Sequence, residues 1–206
     1  MVVAGGDGTI NEALEGLAGT SMPLGILPAG TANVLASEMG LSGRMERAAA
    51  ELVRSIPCRI SLGRVRFPAR GGARHFLLMA GSGLDARVVY RVSAPLKARV
   101  GKIAYWIAAF GLAGRALDEF EVAVEGRRYL CSFALVSKVR NYGGDLVIAR
   151  DTSLLDDRFE VVLFSGRSSL RYVRYLAGVT LRRVSGMRGV TVLRAREVRL
   201  DRKSVV

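Results

Sequence analysis

Residues 5–9 combine three glycines with one carboxylate and one hydroxyl, in the order Gly-Gly-Asp-Gly-Thr. The apolar residues 1–4 predict a strand before them, and a helical pattern follows from Ile10. Glycine has no Cβ and tolerates positive φ, so its amides can approach phosphate oxygens closely. A helix that begins near Thr9 adds its positive end at the same point. The segment therefore predicts a nucleotide phosphate loop, with a plain tight turn as the alternative.

A second glycine loop follows the first along the chain. Residues 23–28 predict a short buried strand, and residues 29–33 predict a turn into a helix with Thr31 as its N-cap. Two successive strand-loop-helix units place both loops at the carboxyl edge of one parallel sheet, where open α/β folds bind their ligands. The predicted site is therefore composite.

Together these motifs resemble the diacylglycerol kinase catalytic domain family, which includes bacterial lipid kinases and sphingosine and ceramide kinases. The resemblance rests on residues 5–9 continuing as Asn11-Glu12, and on residues 27–33, Leu-Pro-Ala-Gly-Thr-Ala-Asn. NAD kinases share the first motif and lack the second. The resemblance covers almost the whole chain. It implies an ATP-dependent transfer of the γ-phosphate to a lipid hydroxyl, giving phosphatidic acid from a diacylglycerol-like acceptor.

The resemblance also implies which residues form the site. Asp7 is expected to be catalytic, either as a ligand of the nucleotide's Mg²⁺ or by engaging the lipid hydroxyl. Many relatives carry an aspartate after the Thr-x-Asn triplet, where this chain has Val34, so Asp7 is the only acid in the two loops. The residues expected to bind ATP are Gly5, Gly6, Asp7, Gly8, Thr9, Asn11 and Thr31.

A later acidic turn is similar to a metal site of the family. In relatives a Leu-x-Asp-Asp-Gly turn holds magnesium through one aspartate side chain and two main-chain carbonyls, which correspond here to Asp157 and to Leu154 and Phe159. Oxygen ligands of this kind suit Mg²⁺. Arg158 replaces the usual glycine and Arg150 the usual proline. Because a cation beside the site could substitute for the metal, a plain acidic turn is the alternative.

The composition indicates an anionic partner. The 206 residues carry a formal net charge of +13, mostly from arginine, which suits nucleotide, nucleic acid or an acidic lipid surface. No nucleic-acid-binding motif accompanies this charge, so nucleic acid is not an expected partner. The longest apolar run, residues 103–114, is shorter than the roughly 20 residues of a spanning helix. We expect a cytoplasmic protein that meets membranes peripherally.

The pattern of elements changes near Pro57. Helical patterns before it end with residues 44–55, and the resemblance then implies a partial α/β nucleotide-binding domain at residues 1–56 and a β-sandwich domain at residues 57–206, with the substrate cleft between them. Strands are predicted at residues 58–67, 75–80, 120–125, 128–136, 146–149, 159–164 and 190–200, and helices at residues 84–92, 101–116 and 168–184.

The predicted helix at residues 168–184 is amphipathic. Its apolar stripe is Leu170, Val173, Ala177, Leu181 and Val184, and its arginines are Arg167, Arg171, Arg174 and Arg182. Packing on the core with a solvated arginine face is one interpretation, and binding to anionic lipid is the other.

Three smaller features complete the analysis. Residues 81–86 match the Gly-x-Gly-x-x-Ala form of a dinucleotide-binding turn, but the acid expected further along is missing. The resemblance implies instead that Asp85 lines the cleft, because relatives carry a similar turn in the second domain, and a phosphate-bearing cofactor such as NADP is the alternative. His75, the only histidine, is expected to be structural. Cys58 and Cys131 lack metal or disulfide spacing and are both expected to be buried.

The family resemblance leads us to expect a sequence that is incomplete at both ends. Relatives carry further strands and helices upstream, and downstream an Asp-Gly-Glu segment that supplies a proposed general base. Two alternatives to a lipid kinase stay open. One is a non-catalytic nucleotide- or lipid-binding remnant, and the other is a kinase of a water-soluble acceptor, as NAD kinases are. A homodimer is also left open.

Overall fold

The computed structural model describes residues 1–68, 71–83, 117–142, 146–181 and 183–201. The helices are α1 (Asp7–Leu17), α2 (Val34–Glu38), α3 (Met45–Leu52) and α4 (Ser169–Thr180), with a 3-10 turn at Val184–Gly186. The strands are β1 (Val2–Gly5), β2 (Gly25–Pro28), β3 (Gly63–Arg66), β4 (Ala73–Phe76), β5 (Met79–Gly83), β6 (Phe120–Val124), β7 (Arg127–Cys131), β8 (Phe133–Ser137), β9 (Asn141–Tyr142), β10 (Leu146–Val147), β11 (Phe159–Phe164), β12 (Val190–Ala195) and β13 (Val198–Asp201).

The amino-terminal part is built on a parallel strand pair. β1 and β2 pair in register from Val2 opposite Gly25 to Gly5 opposite Pro28. Both strands therefore end at the same edge, and both glycine loops leave from it, as the sequence predicts. α1 follows β1 and turns Ile10 and Leu14, four residues apart, into the core.

The core of this part also takes in residues from far along the chain. Val3, Ile26 and Leu35 pack in one buried cluster with Leu77 and Val139. Hydrophobic burial thus holds the region of the first glycine loop against the later part of the chain.

Two antiparallel sheets dominate the rest of the chain. One has the strand order β12-β11-β8-β5, and the other has the order β13-β6-β7. Shorter antiparallel pairs join β3 with β4 and β9 with β10. The mixed organisation of helices and strands, with the α/β unit first, agrees with the sequence prediction.

Alternation along the central strands builds two cores. Ala134 and Val136 of β8 belong to a cluster with Val122 of β6, on the side of the three-stranded sheet. Leu135, from the same strand, packs on the other side with Tyr175 of α4. Because successive side chains of a strand point to opposite faces, the four-stranded sheet lies between the three-stranded sheet and α4.

Three predicted strands are wrong because each covers parts of two strands. One of them, at residues 75–80, spans the bend between β4 and β5, which belong to different sheets. The predicted strand at residues 128–136 breaks at Ser132, where the chain passes from the three-stranded sheet to the four-stranded sheet. The predicted strand at residues 190–200 likewise divides into β12 and β13, which belong to different sheets. Residue periodicity reports a buried face and carries no sign of a change of sheet.

The Gly-x-Gly-x-x-Ala segment of residues 81–86 begins inside a strand. Gly81 and Gly83 lie in β5, paired with Leu135 and Phe133 of β8. Gly83 has φ +84°, and a Cβ there would come within 2.2 Å of the Ser132 carbonyl oxygen. Asp85 and the predicted helices at residues 84–92 and 101–116 lie outside the described residues.

Other local predictions agree with the structure. The turn between β6 and β7, which joins two predicted strands, has positive φ at both central residues, Glu125 and Gly126, as a two-residue hairpin of this type requires. The strand predicted at residues 159–164 matches β11. Within the described residues, no helix is both long and apolar enough to cross a bilayer.

The cysteines differ from expectation, and their chemistry tests the fold. Cys131 is fully buried, and its burial raises the pKa of the thiol to about 12, whereas Cys58 is exposed. In the native protein we expect a thiol reagent to label Cys58 quickly and Cys131 only after denaturation, because the thiolate is the reactive form. Mass spectrometry of the labelled peptides measures this. The Cys58→Ser variant should lose the fast phase, and rapid native labelling of Cys131 would contradict the described core.

Candidate functional site

The two glycine loops touch each other through their backbones. The Ala29 amide donates to the Gly5 carbonyl at 3.0 Å. A Cβ built on Gly30 would lie 2.5 Å from the Gly6 Cα, closer than real side chains approach a backbone atom. Glycine at position 30 is therefore required for the two loops to lie side by side.

Asp7 joins the loops through its side chain. Its Oδ2 accepts a hydrogen bond from the Val34 amide and its Oδ1 accepts one from the Leu35 amide, both at 3.1 Å. These are two of the amides that a helix leaves without a partner at its amino end. Asp7, which belongs to the first loop, therefore caps the helix that follows the second.

The second loop closes on itself through an asparagine. Asn33 accepts from the Gly30 amide at 2.8 Å and donates to the Gly30 carbonyl at 2.9 Å. Its φ of 44° lies in the left-handed region, which asparagine tolerates better than most residues. Asn33 occupies the N-cap position of α2, so the prediction of Thr31 as N-cap is wrong. Thr31 lies exposed in the loop.

The amino end of α1 is open, in contrast to that of α2. Its N-cap is Gly6, and no side chain caps it. Gly8 and Thr9, in the first turn, are exposed. A helix terminus with uncapped amides attracts anions, because its dipole and its N–H groups point the same way.

The other side of α1 is tied to β4. Glu12 forms an ion pair with Arg74 at 2.7 Å, and Glu15 accepts from the His75 amide and contacts His75 Nδ1 at 3.1 Å. The hydrogen bond from the His75 backbone is the main reason that the pKa of Glu15 is lowered. Asn11 Nδ2 lies 3.5 Å from the His75 carbonyl oxygen. Asn11 thus lies against β4 in this structure.

A further ion pair ties α2 to the later strands. Glu38, at the end of α2, accepts from Arg140 Nε at 2.9 Å and from the Arg140 amide at 3.3 Å. The Glu38 side chain is 5% exposed. Sequence reasoning missed this contact, because the two residues lie 102 positions apart.

The acidic turn at residues 154–159 is surrounded by basic side chains. Asp157 pairs with Arg196, and Asp156 pairs with Arg194 at 2.7 Å. Leu154 packs its side chain into the amino-terminal core cluster. In the described part of the chain, no three histidine, cysteine or acidic residues lie together in a way that could hold a metal ion. The magnesium assignment to Leu154, Asp157 and Phe159 stays a prediction from the resemblance, and these contacts do not favour it.

Two buried charged residues near this turn were also missed. Glu160 is 2% exposed and accepts from the Arg150 and Asp151 amides at 3.0 and 2.7 Å. Burial raises its pKa, and these two hydrogen bonds oppose the shift. Lys138 is 1% exposed, and burial lowers its pKa. In the sequence, Lys138 directly follows an apolar strand and Glu160 is the second residue of another. Nothing else in the sequence indicates that either residue is buried.

Comparison with known proteins places these loops in a family. Residues 1–65 match the model of the diacylglycerol kinase catalytic domain. A diacylglycerol kinase of Mycobacterium tuberculosis (strain CDC 1551 / Oshkosh) is 32% identical over 203 residues, 93% of this chain. Over nearly its whole length, the chain is therefore similar to diacylglycerol kinases. Another diacylglycerol kinase, from Bacillus subtilis (strain 168), is 29% identical over 84% of the chain.

The solved structures of the family agree in fold. A crystal structure of a diacylglycerol kinase from Bacillus anthracis str. Sterne superposes on 97% of the chain with a TM-score of 0.69 at 21% identity. The chain spans 65% of the length of that structure, 65% of the M. tuberculosis relative and 57% of the B. subtilis relative.

The close contact between Gly6 and Gly30, which joins the two loops, can be tested by adding a single Cβ atom. We expect Gly30→Ala to push Gly6 away and to cost about 1–3 kcal/mol in free energy of unfolding, as overpacking does. Gly16→Ala is the matched control, because nothing lies within 4 Å of a Cβ there. It should leave the protein as stable or slightly more stable, since alanine favours a helix. Equal melting temperatures for the two variants in a thermal scan would refute the contact.

Proposed function

We propose that the protein to which this chain belongs transfers the γ-phosphate of ATP to the hydroxyl group of a lipid such as diacylglycerol. The observation that carries the proposal is the pair of glycine loops held together by Asp7 beside the open end of α1. The names of the relatives support the same activity and a lipid acceptor.

ATP is proposed to bind with its phosphates at the amino end of α1. Gly5 and Gly6 form the edge of this site, and Gly8 and Thr9 supply amides and a hydroxyl in the first turn. The end of α2 is unsuitable for phosphate, because the Asp7 carboxylate already accepts from its amides. Thr31 contributes its hydroxyl from the second loop. Asn11 is kept as a proposed nucleotide residue only on the resemblance.

Magnesium is proposed to accompany the nucleotide. The donor chemistry fits, because each Asp7 oxygen accepts one described hydrogen bond and keeps lone pairs for a hard cation. When bound, the metal would neutralise charge on the transferred phosphoryl group. Asp7 is the proposed catalytic residue, and its contacts with α2 add a second task, because they hold Thr31 and the second loop in place.

The lipid is proposed to enter between two domains, at residues 1–56 and 57–206. The second of these would be a β-sandwich, since the two antiparallel sheets bury a common cluster that includes Val122 and Val136. The shared core around Leu77 and the Glu38–Arg140 pair would hold the domains together.

A basic cleft on α4 supports the proposal of a peripheral membrane location, and the cytoplasm remains the proposed compartment on the resemblance alone. Arg171, Arg174 and Arg188 line a cavity of about 310 Å³ beside Tyr175. None of the three arginines pairs with a carboxylate in the part of the chain that the structure describes. Tyr175 points inward and packs on the core, whereas Leu181 of the predicted apolar stripe is exposed, so the core-packing interpretation holds only for the face that carries Tyr175. We propose that the arginine face meets anionic lipid headgroups.

Phosphoryl transfer is tested with labelled ATP and mixed lipid vesicles. The 206-residue chain and a version extended to the full reading frame are assayed side by side, and thin-layer chromatography identifies the product. We expect the extended protein to make phosphatidic acid or a related phospholipid. ATP binding without transfer would favour the binding remnant, and a water-soluble phosphorylated product would favour an acceptor of the NAD kinase type.

Asp7→Asn in the extended protein should abolish turnover. It should also cost about 1–2 kcal/mol in free energy of unfolding, because an amide has one acceptor oxygen for two N–H groups. Glu12→Gln is the control, since Glu12 lies on the same helix and is exposed. Turnover is measured in the same assay and stability by thermal unfolding. Unchanged turnover in Asp7→Asn would remove Asp7 from catalysis.

The basic cleft is tested by vesicle sedimentation. Replacing Arg171, Arg174 and Arg188 together by alanine should weaken binding to phosphatidylglycerol vesicles roughly tenfold or more, because each arginine near such a surface contributes about 1 kcal/mol. The control removes three exposed arginines elsewhere, Arg64, Arg127 and Arg199, and so loses the same charge. Equal losses in both variants would mean that only the net charge matters. Binding of the unaltered protein that ignores salt and lipid charge would overturn the proposal.

A further inference from the structure

We propose that the ammonium group of Lys138 takes the place of a bound metal ion at the acidic turn of residues 154–159, so that this turn needs no divalent cation. The proposal concerns a site separate from the two glycine loops and does not rest on the proposed function. It starts from the position of Lys138, which is buried at the point where β8 ends.

Lys138 is surrounded by the kinds of ligand that a cation site provides. Its Nζ donates to the main-chain carbonyl of Asp156 and to Ser61 Oγ, the latter at 2.6 Å. The Ser61 hydroxyl donates to the same Asp156 carbonyl. Lys138 Nζ also lies 5.9 Å from the centre of the Phe159 ring, which is within the range of a cation–π interaction. A main-chain carbonyl, a hydroxyl and an aromatic face thus surround a single positive charge.

The backbone brings this charge to the turn in a defined way. The Lys138 amide donates to the Leu78 carbonyl at 2.8 Å, so the segment before β5 fixes the backbone of Lys138. Its side chain then links that segment with Ser61 and Asp156. Three segments that are distant in sequence therefore meet at one ammonium group. In other proteins a structural metal ion links distant segments in the same way.

The acidic side chains of the turn have basic partners of their own. Arg194 Nη2 donates to Asp156 Oδ2 at 2.7 Å, and Arg196 pairs with Asp157. A divalent ion on Asp157 would lie beside the Arg196 guanidinium and be repelled by it. It would also meet the repulsion of the ammonium group held on the Asp156 carbonyl. Both effects disfavour metal binding, because like charges in a partly buried site repel more strongly than in water.

The start of the turn is also held without a metal. The buried Glu160 carboxylate accepts from the Arg150 and Asp151 amides, and so fixes the backbone that enters the turn. Thr152 is buried beside Ser137. Residues 150–160 therefore have their conformation set by protein groups at both ends.

The experiment compares thermal unfolding in EDTA and in excess Mg²⁺ at constant ionic strength, without nucleotide. We expect the melting temperature of the 206-residue chain to be the same in both, and Asp157→Asn to be equally indifferent to the metal. Lys138→Met keeps the length of the side chain and removes the charge. It should lower the melting temperature by about 3–10 °C, because it leaves buried acceptors without a donor. Arg66→Met, on an exposed position of β3, is the control for loss of one charge.

Two results would overturn the proposal. One is stabilisation of the unaltered chain by Mg²⁺ that Asp157→Asn abolishes, and the other is a Lys138→Met variant as stable as Arg66→Met. Should Lys138→Met fail to fold, calorimetric titration with Mn²⁺ decides the question from the other variants. Equal uptake by the unaltered chain and Asp157→Asn supports the proposal, and one ion fewer in Asp157→Asn refutes it.

Discussion

The hydrogen bonds from the Val34 and Leu35 amides to the Asp7 carboxylate are the contact on which the rest of the site depends. α2 has only five residues, too few to form a stable helix on propensity. Its start is therefore determined by a side chain of the first loop. The two loops act as one unit, because neither the position of α2 nor that of Thr31 is set by local sequence alone.

This contact explains why the sequence predicted the position of the two glycine loops better than the way in which they are held together. Glycines after two short strands, and the edge where parallel strands end, are consequences of local chemistry, and both predictions hold. The assignment of Thr31 as N-cap failed because the competing cap comes from Asp7, 27 positions before Val34. A cap supplied from another loop leaves no trace in the residues next to the helix.

The same distinction holds for the β part. Strand existence followed from apolar patterns, and β6 and β11 were predicted to within one residue at each end. The breaks at Ser132 and after β12 were missed because strand-forming residues continue through each break, although the two flanking strands belong to different sheets. At Ser132 the break has its own hydrogen bonds, from the amide to the Phe164 carbonyl and from the hydroxyl to the Gly166 carbonyl. Such bonds satisfy backbone groups that a continuous ladder would have used.

The structure gives a physical reason for valine at position 34, where many relatives carry an aspartate. Where the resemblance would place an aspartate, Val34 is 4% exposed and packs with Ile26 and Leu154 in the amino-terminal core. Only its amide faces Asp7. A carboxylate at this position would have to leave the core and come near the Asp7 carboxylate, where two like charges repel. Valine therefore contributes burial to the core and an amide to Asp7, and Asp7 remains the only acid in the two loops.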